Sequence, residues 1–322
     1  FSLCLKFWVC NIINPFMPKI KKPTRHRSQV PLLLSTDIAG IFARQPQLFY
    51  QLYQTLSADC CTIDGVEFLP FRFSHQRVLQ TLTKFNIPII GIHGPMAWNT
   101  PDRNIFEKAY VGMFSTVMPS LNTALDITSK SKPNYLLFHE PDFTTCCFTR
   151  KLNTYLKQEN TPTILLENVY RPDSLQISVN QAKKLLNQTQ AGMMIDLVHL
   201  LMEVMESFSF LSDYRRQLNH KNMSEYWQKM LFAMDKAMEQ IPVAGLHIPI
   251  GTNHDSLPWG LITDQHWQEL AKLLDKHQDR LIALTLENQH PEAILSLNKK
   301  HLPAIIKDKK DKIKTLLRTR VL

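Results

Sequence analysis

The sequence predicts an α/β fold, a closed (β/α)8 or TIM barrel. Eight short apolar runs recur from residue 30 onward, each followed by a polar, helix-patterned stretch, and no glycine-rich phosphate loop follows the first run. Strands that are apolar throughout are covered on both faces, the condition of a parallel sheet wrapped by helices. Eight units favour closure over an open doubly wound sheet. A missing G-x-G-x-x-G, in 322 residues with only nine glycines, removes the main support for a dinucleotide-binding sheet.

In chain order, "FSLCLKFWVCNIINPF" (1–16) is apolar but short for a membrane span, is interrupted by Lys6 and two asparagines, and precedes its basic cluster where a signal peptide would follow one. It reads as a fragment or upstream read-through ahead of a start at Met17. "KIKKPTRHR" then reads as a mobile, solvated arm, so that residues 1–29 form a short basic N-terminal extension.

The barrel is expected over 30–302. Its runs are "VPLLLSTDI" (30–38), "TIDGVEFL" (62–69), "IPIIGIHG" (87–94), "NYLLFHE" (134–140), "TPTILLENV" (161–169), "AGMMIDLVH" (191–199), "VAGLHIPI" (243–250) and "RLIALTLEN" (280–288). Between them, "RNIFEKAYVGMFSTVMPSLNTALDI", "SLQISVNQAKKLLNQ", "MSEYWQKMLFAMDKAMEQI" and "TDQHWQELAKLLDKH" place apolar residues three and four apart, the spacing of a helix face. "FLSDYRRQLNHKN" (210–222), expected between the sixth strand and its helix, is long and polar enough to act as a lid through Tyr214, Arg215 and Arg216; a plain surface loop is the other reading. Residues 303–322 are a lysine-rich C-terminal helix or tail with Ile313, Leu316 and Leu317 on one side.

The net charge of +9 sits at the ends. Residues 1–30 hold six Lys/Arg and no acid, 299–322 hold nine against two, and the body between them is left at −4. That distribution does not support a nucleic-acid groove in the barrel, although DNA stays open as a partner. Six cysteines, with adjacent pairs Cys60/Cys61 and Cys146/Cys147 and no C-x-x-C, suggest neither a zinc knuckle nor a secreted disulfide framework, so a reducing cytoplasm is expected.

Chemistry in such a barrel sits at the C-terminal ends of the strands. Those ends carry Asp37, Glu67, His93, His139, Glu167, Asp196 with His199, His247 and Glu287, and His254 follows in the loop after the seventh strand. Imidazoles and carboxylates are the ligands of a borderline divalent ion, so a metal site is expected. Taken singly, Asp37 or Glu67 also reads as a helix cap.

The same residues resemble the xylose isomerase-like barrels, and within them endonuclease IV, the AP endonuclease family 2 pattern. The resemblance runs from about 33 to 292 through "GIHGP" (His93), "LLFHE" (His139), "ILLEN" (Glu167), "MIDLVH" (Asp196, His199), "GLHI" (His247), "HDSLPWGLI" (His254) and "LTLEN" (Glu287). It implies a zinc cluster in which His93, His139 and Glu167 serve one ion and Glu167, Asp196, His247 and Glu287 a second. His199 and His254 would serve a third, but Thr252 stands where the family places a further aspartate ligand. The family's "HPGS", "ENTAG" and "IDTCH" appear here as "HEPD", "ENVYR" and "IDLVH", which keeps the ligand letters and changes the neighbours that approach DNA.

Three functions follow from these residues. The first is metal-activated hydrolysis of a phosphoester, with Glu167 bridging two ions and Arg103, Arg150 and Arg171 placed to grip phosphate. The alternative is a sugar or sugar-phosphate isomerase or epimerase on one ion, with Glu167 and Glu287 as the acid/base pair and Trp98 and Trp259 placed to stack on a sugar ring. A non-catalytic binding barrel is third. The expected cofactor is one to three ions of Zn or Mn; the expected partner is a small phosphorylated or sugar substrate, with no membrane, and no oligomeric state follows from the sequence.

Overall fold

The computed structural model of the chain describes residues 30–36, 50, 53–54, 63–70, 75–94, 117–139, 154–155, 161–168, 186, 191–205, 214–251, 257–258 and 260–289, and all eight expected strands lie among them. These are β1 (Leu32–Ser35), β2 (Gly65–Phe68), β3 (Ile89–His93), β4 (Tyr135–His139), β5 (Thr163–Glu167), β6 (Gly192–Asp196), β7 (Val243–Gly251) and β8 (Ala283–Gln289). They pair in sequence order, all parallel, and β8 pairs back to β1, so the barrel is closed.

Alternation along each strand divides the apolar residues between two layers. One set, including Leu34, Val66, Ile92, Leu136, Phe138, Leu166, Ile195 and Leu246, packs with helix residues in the larger core. The other set, Leu33, Tyr135, Leu137, Leu165, Met194 and Ala283, fills the inside of the barrel. Both are buried, which is why the runs are apolar at consecutive positions. Continuing the inner parity toward the C-terminal ends brings, in place of further apolar residues, Glu67, His93, His139, Glu167, Asp196, His247 and Glu287. Two glycines make room below them. A Cβ on Gly91 would land inside the Tyr135 ring, and one on Gly245 would meet the Met194 sulfur at 2.7 Å.

The helices described are α1 (His75–Lys84), α2 (Val117–Ser131), α3 (Leu197–Val204), α4 (Met223–Gln240) and α5 (Asp264–Lys276). Pro119 is the third residue of α2, in the first turn, where a missing N–H costs no helical bond. Just beyond α1 and α2, Asn86 (φ 53°) and Lys132 (φ 50°) adopt the left-handed conformation that turns the chain out of a helix. α4 buries Met223, Trp227, Met230, Met234 and Met238, and α5 buries Trp267, Leu270 and Leu274, both at helical spacing. The two helices meet at the edge-to-face pair Trp227 and Trp267, centroids 6.0 Å apart.

Two histidines are consumed by this packing. At the start of α5, Thr263 and His266 form a capping box in which the Thr263 N–H donates to His266 Nδ1 at 3.0 Å, the imidazole standing where glutamate is usual. His277, just past its end, lies 2.6 Å from Asp235 of α4, which also receives Lys276 at 2.8 Å.

The loop expected between the sixth strand and its helix is placed differently. α3 starts at the residue after β6, so 210–222 connects α3 to α4, and within it Tyr214–Gln217 form a single 3-10 turn with Arg216 exposed. The reason lies in "LVHLLMEV", which is apolar enough to be read as the end of a strand yet has Asp196 ahead of it to start a helix. Residues 1–29 and 303–322 lie outside the described residues, as does the helix expected in "SLQISVNQAKKLLNQ" apart from the buried Leu186. No described helix is long and apolar enough to cross a membrane.

Gly91→Ala is expected to destabilise the fold by about 1–3 kcal/mol, because the methyl group must displace a fully buried tyrosine. Urea denaturation followed by circular dichroism measures this; an unchanged midpoint would mean the ring has room to move.

Candidate metal centre

The strand ends converge on one small volume. From β3 and β4, His93 Nε2 and His139 Nε2 approach the same oxygen, Glu167 Oε2, at 3.1 and 3.2 Å. From β7, His247 Nδ1 lies 3.1 Å from the other oxygen, Glu167 Oε1, and 3.1 Å from Glu287 Oε1 of β8. The opposite ring nitrogen, His247 Nε2, lies 3.1 Å from Glu67 of β2. Three sets bring their donor atoms within 4.8 Å of one another: His93, His139 and Glu167; Glu167, Asp196 and His247; and Glu67, His93 and His247. All of these residues are buried.

Asp196 has two duties. As the last residue of β6 it joins the second of those sets, and as the N-cap of α3 its Oδ1 accepts the N–H groups of Val198 at 2.7 Å and His199 at 2.9 Å. Asn168 holds it in register, donating to the Asp196 carbonyl at 3.2 Å while accepting its N–H at 2.6 Å.

The electrostatics follow from burial and mutual charge. Burial pushes the Glu167 carboxyl up, but the charges and hydrogen bonds of His247 and His139 more than reverse this and hold it well below the ordinary carboxylate range. The Glu67 carboxyl is likewise lowered, burial being outweighed by His247, His93 and Tyr135. For His93, burial opposes the charge, yet the Glu167 hydrogen bond and charge raise it to about 9. Burial dominates for His139, whose pKa is lowered, and for Asp196, raised to about 7.

This donor set suits a divalent cation. His93 Nδ1 lies 2.9 Å from the Gly94 carbonyl, and donating there fixes the tautomer whose Nε2 lone pair faces Glu167. An imidazole lone pair and a carboxylate oxygen at 3.1 Å repel unless something positive lies between them. A proton serves one such contact; an ion serves several at once.

Of the residues expected from sequence, the structure brings together His93, His139, Glu167, Asp196, His247 and Glu287. His199, half-buried in the first turn of α3, is in none of the three sets, but its charge acts on both Asp196 and His139. His254, Arg103, Arg150, Arg171, Trp98, Trp259 and Asp37 lie outside the described residues. Glu67 turns into the barrel and is no helix cap. It accepts from the Tyr135 hydroxyl at 2.5 Å and the Thr285 hydroxyl at 3.1 Å, two further residues the sequence reading did not place. Their signal was available: Tyr135 lies four residues before His139 and Thr285 two before Glu287, on the same parity.

A xylose isomerase domain protein of Salmonella typhimurium matches over 91% of this chain and 99% of its own, with a TM-score of 0.50 and 12% identity. The D-allulose 3-epimerase of Methylomonas sp. matches over 91% and 97%, with a TM-score of 0.50 and 12% identity. The chain shares the closed (β/α)8 fold of these proteins. The likeness is one of fold; the narrower resemblance to endonuclease IV rests on motifs alone. An IolI protein solved with a zinc atom matches over 90% and 99%, at a TM-score of 0.48 and 12% identity. No protein-family model and no curated protein sequence matches the chain.

The barrel's response to alkali follows from His93. Its proton is held by the folded state up to about 9 but by the unfolded chain only to about 6.5, so its contribution to stability is complete below the lower value and is lost as pH rises through the higher one. His247, also raised, adds a loss of the same sign. With chelator present, the melting temperature is expected to fall between about pH 6 and 9.5, by the equivalent of roughly 3 kcal/mol for His93. His93→Gln should flatten that slope; a melting temperature that rises over this interval would contradict the assignment.

Proposed function

We propose that this chain is a divalent-metal-dependent isomerase or epimerase acting on a small sugar or sugar phosphate. The observation that carries the reading is the placement of Glu167 and Glu287, from β5 and β8, at 3.1 Å each from the same nitrogen of His247. With Asp196 beside them, these four are the residues we assign to one ion, zinc or manganese. When bound, the ion polarises neighbouring carbonyl and hydroxyl oxygens of a sugar and so acidifies the C–H bond between them.

The remaining chemistry belongs to the side chains. Glu167, held well below the ordinary carboxylate range, is ionised at neutral pH and takes up the proton from carbon. Glu287, arriving from a strand three places further round the barrel, enters the turnover carrying a proton and gives it to carbon, and exchange with solvent then removes the proton from Glu167 and restores that of Glu287. The apolar layer beneath, from Leu33 to Ala283, keeps water from that side of the site. Arg103 and Arg171, which follow β3 and β5 in the sequence, are assigned to a substrate phosphate, and Trp98 and Trp259, which follow β3 and β7, to the sugar ring. The D-allulose 3-epimerase whose fold this chain shares is named for chemistry of this kind.

A second reading is favoured by His93 and His139, whose shared approach to Glu167 Oε2 exceeds what one ion needs. Two ions bridged by Glu167 would suit hydrolysis of a phosphoester, with His93, His139 and Glu167 at the added position.

Elemental analysis and a substrate panel separate the two. The isomerase reading expects about one tight ion per chain and turnover of ketoses or their phosphates, with Glu167→Gln and Glu287→Gln each lowering kcat roughly 100- to 10,000-fold. Two ions per chain, turnover of phosphodiesters or abasic-site DNA, no action on sugars and loss of hydrolysis in His93→Ala would replace it with the second reading.

A further inference from the structure

We propose that Glu67 is a positioning residue that orients His247 for the ion, through the imidazole nitrogen on the far side from the glutamates. The inference rests on His247 being a ligand, as assigned above, and does not depend on the substrate.

The geometry runs across the barrel in one line. His247 presents Nδ1 to Glu167 and Glu287, both at 3.1 Å, and presents Nε2 to the two oxygens of Glu67, also at 3.1 Å. A neutral imidazole has one N–H and one lone pair, and whichever nitrogen donates decides which is left to coordinate. With Nε2–H donating to Glu67, the lone pair on Nδ1 faces Glu167 and Glu287. Were the tautomer reversed, the Nε2 lone pair would meet carboxylate oxygens and Nδ1 could not coordinate. A carboxylate that accepts from a ligand histidine also makes the other nitrogen a better donor.

Glu67 is itself over-determined for this task. It is fully buried, the Tyr135 hydroxyl donates to Oε2 at 2.5 Å, and the Thr285 hydroxyl donates to the same oxygen at 3.1 Å. These donors come from β4 and β8, on either side of the barrel from β2, so the carboxylate cannot rotate without breaking both. Gly91 leaves the space that Tyr135 occupies. A buried carboxylate is a poor source of stability, since its desolvation offsets much of what its hydrogen bonds contribute. Its placement makes sense as a fixed acceptor for one N–H.

The test compares Glu67→Gln with His247→Ala in the full-length protein, reading zinc affinity by chelator competition and the visible spectrum of the cobalt-loaded form, with melting temperature of the chelated protein as the control for folding. Glu67→Gln is expected to weaken zinc binding about 10- to 100-fold and to shift the cobalt bands, with Glu67→Asp restoring part of the affinity. His247→Ala should weaken binding further. If Glu67→Gln alters only the melting temperature, leaving zinc affinity and cobalt spectrum as they were while His247→Ala abolishes binding, Glu67 is structural and the proposal is overturned. If His247→Ala also binds zinc normally, the metal-centre assignment fails first. Should Glu67→Gln not fold, Tyr135→Phe decides: a weaker zinc complex with shifted cobalt bands supports the proposal, and an unchanged one overturns it.

Discussion

The structure depends on compensating negative charge that has been taken out of water. Glu67, Glu167, Asp196 and Glu287 are gathered at the mouth of one barrel, each buried, and among the described residues the imidazoles of His93, His139 and His247 lie against them. An isolated buried carboxylate is prohibitively costly, so each must find a proton, a cation or strong donors. The two lowered carboxyls, Glu67 and Glu167, have the most donors; Asp196, where burial and the charges of Glu287 and Glu167 outweigh His199 and His247, is the one raised to about 7. The described residues of the site thus gather more negative than positive charge.

Most of this was legible because period two does two jobs. The same alternation that sends Leu136 and Phe138 to the helices sends Leu137 and His139 inward, so a histidine at the end of an apolar run declares its direction. That logic located six of the gathered residues. What escaped was whatever required the neighbouring strand to be known. Glu67 reads equally as a helix cap until the Tyr135 and Thr285 hydroxyls, 68 and 218 positions away in sequence, are seen to close on it. The start of α3 was hidden for another reason: "LVHLLMEV" is buried along much of its length, and an apolar run has no period to distinguish helix from strand.

Glu167 explains why the functional readings diverge from one set of coordinates. Its two oxygens face different partners, Oε1 toward His247 and Oε2 toward His93 and His139. Used through one oxygen, it would serve as ligand and base beside a single ion; used through both, it would hold two. Loop chemistry varies over barrels whose strands stay constant, so strand ends of one kind serve different reactions.

Asp196 ties two layers of the molecule into one unit. Its carboxylate faces the ligand cluster, and its Oδ1 also holds the first turn of α3, which packs against β7 and α4 in the outer layer. On the proposed assignment, a replacement at this position would have to serve both the opening turn of a helix and the coordination of a cation. Asparagine would keep the former and weaken the latter. Architecture and the proposed chemistry therefore meet at one side chain, and a lineage without the ion would still have reason to keep an oxygen acceptor here.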